Sequence, residues 1–373
     1  MRLFDRFRLL DPVILWVTLG FLVFGLVMLL SATGPVALSR TGTSLFFVKR
    51  QLINGILPGL VLFFALGVVN YRVWRPLALV ALVATIIVLV LVFIPGVGVT
   101  LGGARGWIRF GVFSLQPTEV VKLTFLVYLS AWLANREGER EHHTLENGLF
   151  PFLFALGSVI TLIVLQPDTG SMAVIVLMSL FVYFLSGAPV AWFASLSVLG
   201  LGLLTLLIRH SHYRAARFMA FLHPELDPLG VGYHINQAML AIGSGGIFGL
   251  GYGHSRQKFL YLPEVEADSI SAVIAEEMGF IVMAMMLVMF GVLIWRCLKI
   301  SHEARDPFGR YLAAGVAAWM AVQVFLNIGS MTGVMPMTGV TLPFISHGGS
   351  AMLALLAALG LVAGIPREAQ RSR

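Results

Sequence analysis

Runs of about twenty apolar residues recur along the whole chain, and no other feature constrains its fold as much. The hydrocarbon core of a bilayer is about 30 Å thick, which a helix of about 20 residues crosses. Such runs fall near 12–31, 51–69, 76–95, 116–134, 149–166, 171–187, 189–208, 272–297, 310–332 and 349–365. They predict an all-α integral membrane protein of ten transmembrane helices, with residues 1–373 forming a single polytopic membrane domain. Composition agrees, with 58% of residues apolar and 12% charged, where a soluble domain carries about 25% charged residues. The opening MRLFDRFRLL is basic, as in a signal peptide. The apolar stretch behind it, Pro12 to Ser31, is long for a cleaved segment and reads as an uncleaved first span. Cys297 is the lone cysteine, which excludes an internal disulfide and a cysteine-based metal cluster.

Positive charge orients the spans. With the N-terminus in the cytoplasm, the inner ends collect Arg2, Arg6, Arg8, Arg72, Arg75, Arg136, Arg140, Arg296, Lys299, Arg305, Arg310, Arg367, Arg371 and Arg373. The short outer loops then hold only Arg40, Lys49, Arg50, Arg105 and Arg109. Both termini are therefore predicted to be cytoplasmic, with a large extracytoplasmic loop, about 209–271, between helices 7 and 8. The net charge of +7 is spread over loops and ends. It points to topology and contact with membrane lipids, not to nucleic acid.

That loop is the polar island of the sequence. It contains GYHINQAMLAIGSGGIFGLGYGHSRQKFLYLPEVEADS, with six glycines from Gly243 to Gly253. A structureless stretch of such length is uncommon unless it is functional or disordered, and its apolar content argues against disorder. It reads as the catalytic loop, its glycines serving tight turns and close helix approach.

Ionisable groups within spans cost about 2.5–3.5 kcal/mol on insertion scales and are usually functional. Glu119 and Lys122 stand on one helical face at the start of the fourth span, Asp168 lies in the turn LQPDTGS, and Glu276 and Glu277 begin the eighth span. With Asp268, Arg105 and Arg109 they all fall toward the outer face, as one outward-facing cluster of acids and bases. The structural alternatives are an ion pair for Glu119–Lys122, an Asx-turn role for Asp168 and an N-terminal helix acid for Glu276. No P-loop is present. His210 and His212 lack a third metal ligand, and Ser346-His347-Gly348-Gly349-Ser350 lacks the strand–turn–helix setting of a nucleophile elbow. A carboxylate base with cations in an outward membrane groove suits group transfer from a lipid-linked pyrophosphate. Cations stabilise the leaving phosphate and one carboxylate takes the proton of an attacking hydroxyl.

Several stretches resemble one known family in order and spacing, from about residue 44 to 362. They are FFVKRQL, GARGWIRFGVFSLQPTEVVKLTFLVYLSAWL, LQPDTGS, the loop sequence above, AVIAEEMGF and TGVMPMTGVTLPFISHGGSA. By these the chain is identified as a member of the shape, elongation, division and sporulation (SEDS) proteins, closer to the FtsW and sporulation branch than to RodA. The resemblance implies a ten-span peptidoglycan glycosyltransferase of the bacterial cytoplasmic membrane, its active site facing outward. It implies polymerisation of lipid II into glycan, release of undecaprenyl pyrophosphate, and partnership with a class B penicillin-binding protein and other division or elongation proteins.

The family's catalytic aspartate corresponds to Asp268. The usual His-Thr before it is here Glu266-Ala267, the aromatics after it are Ser269 and Ser271, and His347 replaces a tyrosine. Glu266 is expected to raise the Asp268 pKa by like-charge repulsion. The resemblance makes Asp268 the general base toward the acceptor's 4-hydroxyl, with inversion at the donor's anomeric carbon. Arg50, Arg105, Arg109 and Lys122, and Lys258 as well, are placed to hold the donor pyrophosphate. Lys258 and Gln257 would order the loop. Glu119, Asp168, Glu266, Glu276, Glu277, Ser346 and His347 are supporting candidates. No metal-ligand spacing or other cofactor signal is evident, and a Mg²⁺ or Mn²⁺ requirement is left open. A lipid-linked precursor flippase or a non-catalytic scaffold for a transpeptidase are the rival readings.

Overall fold

The computed structural model describes residues 10–101, 104–110, 113–138, 144–226 and 230–371. The helices are α1 (Pro12–Thr41), α2 (Phe46–Val68), α3 (Ala78–Leu91), α4 (Pro117–Ala134), α5 (Leu145–Leu165), α6 (Thr169–Leu185), α7 (Val190–Arg209), α8 (His212–Leu222), α9 (Val231–Gly245), α10 (Ile270–Glu303), α11 (Pro307–Met331) and α12 (Gly349–Arg371). Each of the ten apolar runs falls on a helix, and six of these helices (α1, α2, α5, α10, α11, α12) are long and apolar enough to cross a membrane. A short antiparallel meander, β1 (Gly98–Leu101), β2 (Ala104–Phe110) and β3 (Phe113–Leu115), joins α3 to α4.

The segment expected to be structureless is in part helical, because it carries α8 and α9. In α9 the buried Ile235, Ala238 and Ala241 recur every third residue, a helical stripe that packs on α10. From Gly246 to Asp268 the chain runs in turns.

Helices α11 and α12 form the buried centre of the bundle. Without a hydrophobic drive between helices in lipid, close backbone packing holds such a bundle together. At Gly360 of α12 an added Cβ would stand 2.4 Å from the Phe63 carbonyl oxygen of α2, so only glycine admits this approach. On the face of α1, Phe21 stacks on Phe290 of α10 with ring centroids 4.2 Å apart. By contrast, none of the described residues of α7 is buried.

Candidate active site

Asp268 lies in the turn that leads into α10, with its side chain nearly sequestered from solvent. Its position is set by α11, where Asn327 Nδ2 donates to the Asp268 carbonyl at 2.9 Å and to the Val340 carbonyl at 2.7 Å. One amide thus ties the Asp268 turn to the 332–348 segment. Gly339, at φ 70, faces the carboxylate, and a Cβ there would lie 4.0 Å from Asp268 Oδ2 and 3.9 Å from Arg217 Nη1. Arg217, on α8, also donates to the Met337 carbonyl at 3.2 Å. Burial raises the Asp268 pKa to about 7, with repulsion from Glu264 adding to it and the Arg217 charge opposing it.

The carboxylate that repels Asp268 is therefore Glu264, not Glu266 as expected. Glu266 is held by Arg40 at the end of α1, with Nη1 to Oε1 at 2.9 Å. Its carbonyl accepts the His347 N–H at 2.7 Å. Glu264 takes the left-handed backbone at φ 49, and burial, followed by repulsion from Glu266, raises its own pKa.

On the opposite side of the turn, Ser269 Oγ lies 2.7 Å from the Pro263 carbonyl, 2.5 Å from His234 Nε2 and 3.4 Å from Asp268 Oδ1. Ser269 Oγ thus donates toward the Pro263 carbonyl and Asp268 Oδ1, and its contact with His234 Nε2 completes the turn. His234 is kept neutral, its pKa lowered to about 4 by burial and by Arg217. His347 is likewise lowered to about 4 by burial and by Arg50, and its ring meets Phe47 edge-on at 5.2 Å.

The cations divide into two kinds. Arg50 Nη2 donates to Ser114 Oγ at 3.3 Å, and Arg109 is the cross-strand partner of Ser114 in the β-meander. Cross-strand partners project to the same face, so Arg50 and the exposed Arg109 converge at Ser114. Arg105 is opposite Thr100 in β2, and its side chain lies outside the described residues. Lys122 differs, because it is buried and paired with Glu119 at 2.7 Å, with Gln323 Oε1 at 3.4 Å. Lys258 Nζ contacts Glu277 at 2.7 Å, the Gly253 carbonyl at 2.8 Å and Ser31 Oγ at 3.1 Å. Those three contacts use its three ammonium hydrogens, so its place is the ordering of the loop.

The supporting acids do not gather round Asp268 as one cluster. Asp168 caps α6 through the Ser171 N–H at 2.9 Å and accepts from Thr118 at 2.9 Å. Glu276 accepts from Ser255 Oγ and from the Arg256 N–H at 2.9 Å. The Gln257 N–H reaches Glu276 at 3.4 Å, so Gln257 orders this turn through its backbone. Ser346 Oγ accepts the Leu342 N–H at 2.8 Å and helps close the segment before α12. Gln51 holds that segment from α2, donating to the Ser346 carbonyl at 3.1 Å and accepting from the Gly348 N–H at 3.0 Å. An open depression of about 690 Å³, walled by His254, Arg256, Gln257, Phe259 and Tyr261, flanks the loop, and Asp268 is not in its wall. Among the described residues, no group of three or more His, Cys, Asp or Glu side chains is placed to hold a metal ion.

Arg40, Gln51, Arg217, His234, Glu264 and Asn327 were missed as site residues. Gln51 was within reach, because it stands in the FFVKRQL motif. His234 and Glu264 likewise stand in the quoted loop motif and Asn327 is a polar residue inside an apolar span, whereas Arg40 and Arg217 carry no local signal that distinguishes them.

These features define a multi-pass membrane protein with a buried carboxylate and separate cations between its loops. A profile of the FtsW, RodA and SpoVE family, described as cell cycle proteins, matches residues 12–371, and the chain belongs to that family. It is 39% identical over 357 residues to stage V sporulation protein E of Bacillus subtilis, covering 96% of this chain and 97% of that one. It is 37% identical over 355 residues to the "probable peptidoglycan glycosyltransferase FtsW" of Trichlorobacter lovleyi, covering 95% and 92%. Its fold matches a chain solved in work on structural coordination of polymerization and crosslinking by a peptidoglycan synthase complex, at TM-score 0.78 and 28% identity over 96% and 98% of the two chains. It also matches the rod shape determining protein RodA of Thermus thermophilus at TM-score 0.68 and 27% identity, over 96% and 97%.

Proposed function

We propose that the chain is a peptidoglycan glycosyltransferase that polymerises lipid II at the outer face of the cytoplasmic membrane, with Asp268 as its general base. The observation that carries this reading is a buried carboxyl whose pKa is about 7, opposite Arg217 and the Cβ-free Gly339. A base poised near the working pH combines a useful ionised fraction with a strong pull on the substrate proton. The topology proposed with it has ten spans, cytoplasmic termini and the 209–271 segment outside.

Asp268 takes the proton from the acceptor's 4-hydroxyl as its oxygen attacks the donor's anomeric carbon. The bond to the pyrophosphate breaks on the opposite face, with inversion, and undecaprenyl pyrophosphate leaves. Charge develops on that leaving group, and Arg50 and Arg109, converging at Ser114, are the cations best placed to meet it. Lys122 and Lys258 stay in their buried pairs and shape the site. A class B penicillin-binding protein is the proposed transpeptidase partner, in line with the synthase complex whose chain shares this fold.

The test is glycan polymerisation from purified lipid II by the wild type and by Asp268→Ala, with and without the transpeptidase. Product from the wild type and none from a stably folded Asp268→Ala is expected. Equal activity in both would remove Asp268 as the base. Lipid movement across vesicles with no glycan product would favour a flippase.

A further inference from the structure

Helix α10 is broken at Gly279, whose backbone is at φ 74 and ψ −178. A break inside a membrane helix frees carbonyls before it and N–H groups after it, each costing several kcal/mol if left unpaired in hydrocarbon. Here a neighbouring irregular segment pairs with four of these groups. The Glu276 and Glu277 carbonyls accept the Leu250 and Gly251 N–H groups at 2.9 Å each. The Phe280 and Ile281 N–H groups donate to the Gly246 and Ile247 carbonyls at 2.9 and 3.3 Å. The fit requires backbone-to-backbone contact, since a Cβ at Gly249 would stand 2.2 Å from the Glu277 oxygen.

The side chains of this segment point away from the protein. Phe248 is 80% exposed, and it is flanked by exposed Ile247 and Leu250. Directly beyond the break, Phe280 is 68% exposed on α10, and Val27 on α1 is 45% exposed. Tyr252 fixes the depth, because its hydroxyl donates to the Val27 carbonyl at 3.0 Å. Val27 is one helical turn, about 6 Å, further into the apolar run of α1 than Ser31. Ser31 is where the buried Lys258–Glu277 pair is anchored. The segment therefore dips past that polar pair toward the bilayer, and from Gly243 to Gly253 it carries no charged residue.

We propose that residues 246–252 form a re-entrant segment seated among outer-leaflet acyl chains, anchoring the Asp268 loop to the membrane. Acyl chains are the occupant because the patch is continuous with the exposed apolar faces of α1 and α10 and ends in a tyrosine, a residue favoured at the headgroup boundary. The backbone pairing is of the kind that lets irregular chain exist at membrane depth. The name "outer leaflet" rests on the topology proposed above; the seating itself does not.

Phe248→Cys in a Cys297→Ala background, labelled with a small fluorophore and reconstituted in vesicles without a partner protein, tests this. Bromine on the lipid chains is expected to quench the label several-fold more than aqueous iodide, with the reverse order for Thr43→Cys in the exposed turn after α1. Ile247→Cys serves if the first variant does not fold. Iodide quenching at Phe248→Cys as strong as at Thr43→Cys would overturn the seating, and so would protection from both quenchers, the mark of a covering protein copy. For the anchoring role, Phe248→Ser is expected to lose polymerisation several-fold at unchanged thermal stability, with Phe248→Leu restoring it. Activity of Phe248→Ser equal to wild type would overturn that role. A failure of the Asp268 reading would leave the quenching result untouched.

Discussion

Lys258 and Glu277, on either side of the Asp268 turn, form an ion pair of 2.7 Å with side chains 5% and 0% exposed. Ser31 of α1 closes the same network, with its hydroxyl 2.8 Å from Glu277 Oε1. Removing one partner from a buried pair strands a charge, at a cost of about 3–5 kcal/mol, while replacing both by apolar groups of similar volume is often nearly neutral. Glu277→Ala is therefore expected to lower the thermal stability of the purified protein strongly. Lys258→Met with Glu277→Leu should recover most of the loss. A double variant as unstable as the single one would show that the pair itself, and not the stranded charge, carries the stability.

The raised Asp268 pKa makes polymerisation pH-dependent. The base is ionised only above about 7, so the rate should climb with pH through that value and then level off. The stability effect has the opposite sense. An unfolded aspartate loses its proton near 3.8 and the folded one near 7, so the stabilisation is full below about 3.8 and lost as pH rises through about 7. Asp268→Asn should melt higher than wild type at pH 8, by on the order of 2–4 kcal/mol of stability, and at the same temperature near pH 3.5. Thermal melts across this range check it, and equal melting at pH 8 would contradict it.

Two neighbouring glutamates should behave differently. Glu264 repels the Asp268 carboxylate, whereas Glu266 is paired with Arg40 and acts on Glu264 instead. Glu264→Gln is expected to move the midpoint of the pH–rate curve downward. Glu266→Gln should leave the midpoint in place. Because Arg40 is 59% exposed, loss of this pair should change stability by no more than about 1 kcal/mol. A midpoint shift in Glu266→Gln alone would reverse the assignment.

The cations divide in the same testable way. Arg109 is exposed beside Arg50 and Ser114, so Arg109→Ala should raise KM for lipid II several-fold without changing the melting temperature. Lys122 is buried against Glu119 and lies 5.7 Å from the Trp319 ring. Lys122→Met should instead lower the melting temperature, as a stranded Glu119 carboxylate predicts. Steady-state kinetics and thermal melts on both variants separate the roles.

The helices were legible because hydrophobic length is a local property. Each of the ten apolar runs sits on a helix, and the family motifs placed Asp268 in the loop ahead of α10. Turn content was harder to see. The stretch 209–271 looks polar and glycine-rich in one dimension, yet Ile235, Ala238 and Ala241 give α9 a buried stripe that a scan for long apolar runs passes over. The residues that set the chemistry around Asp268 were the least visible, since nothing in Arg217, Glu264 or Asn327 shows which groups they meet until the chain folds.

The sequence by itself determined a membrane-embedded helical protein, the family motifs and the residue types available for catalysis. Those follow from composition, periodicity and local spacing. Only the tertiary structure decided which charge meets which. Ser31 and Glu277 are 246 positions apart, Arg40 and Glu266 are 226 apart, and Gln51 reaches across 297 positions to the Gly348 N–H. A charge or amide in a one-dimensional chain does not specify its partner. In the folded protein, burial removes the water that would otherwise satisfy each group, so the partner that packing brings within reach fixes whether a lysine binds substrate or locks a loop.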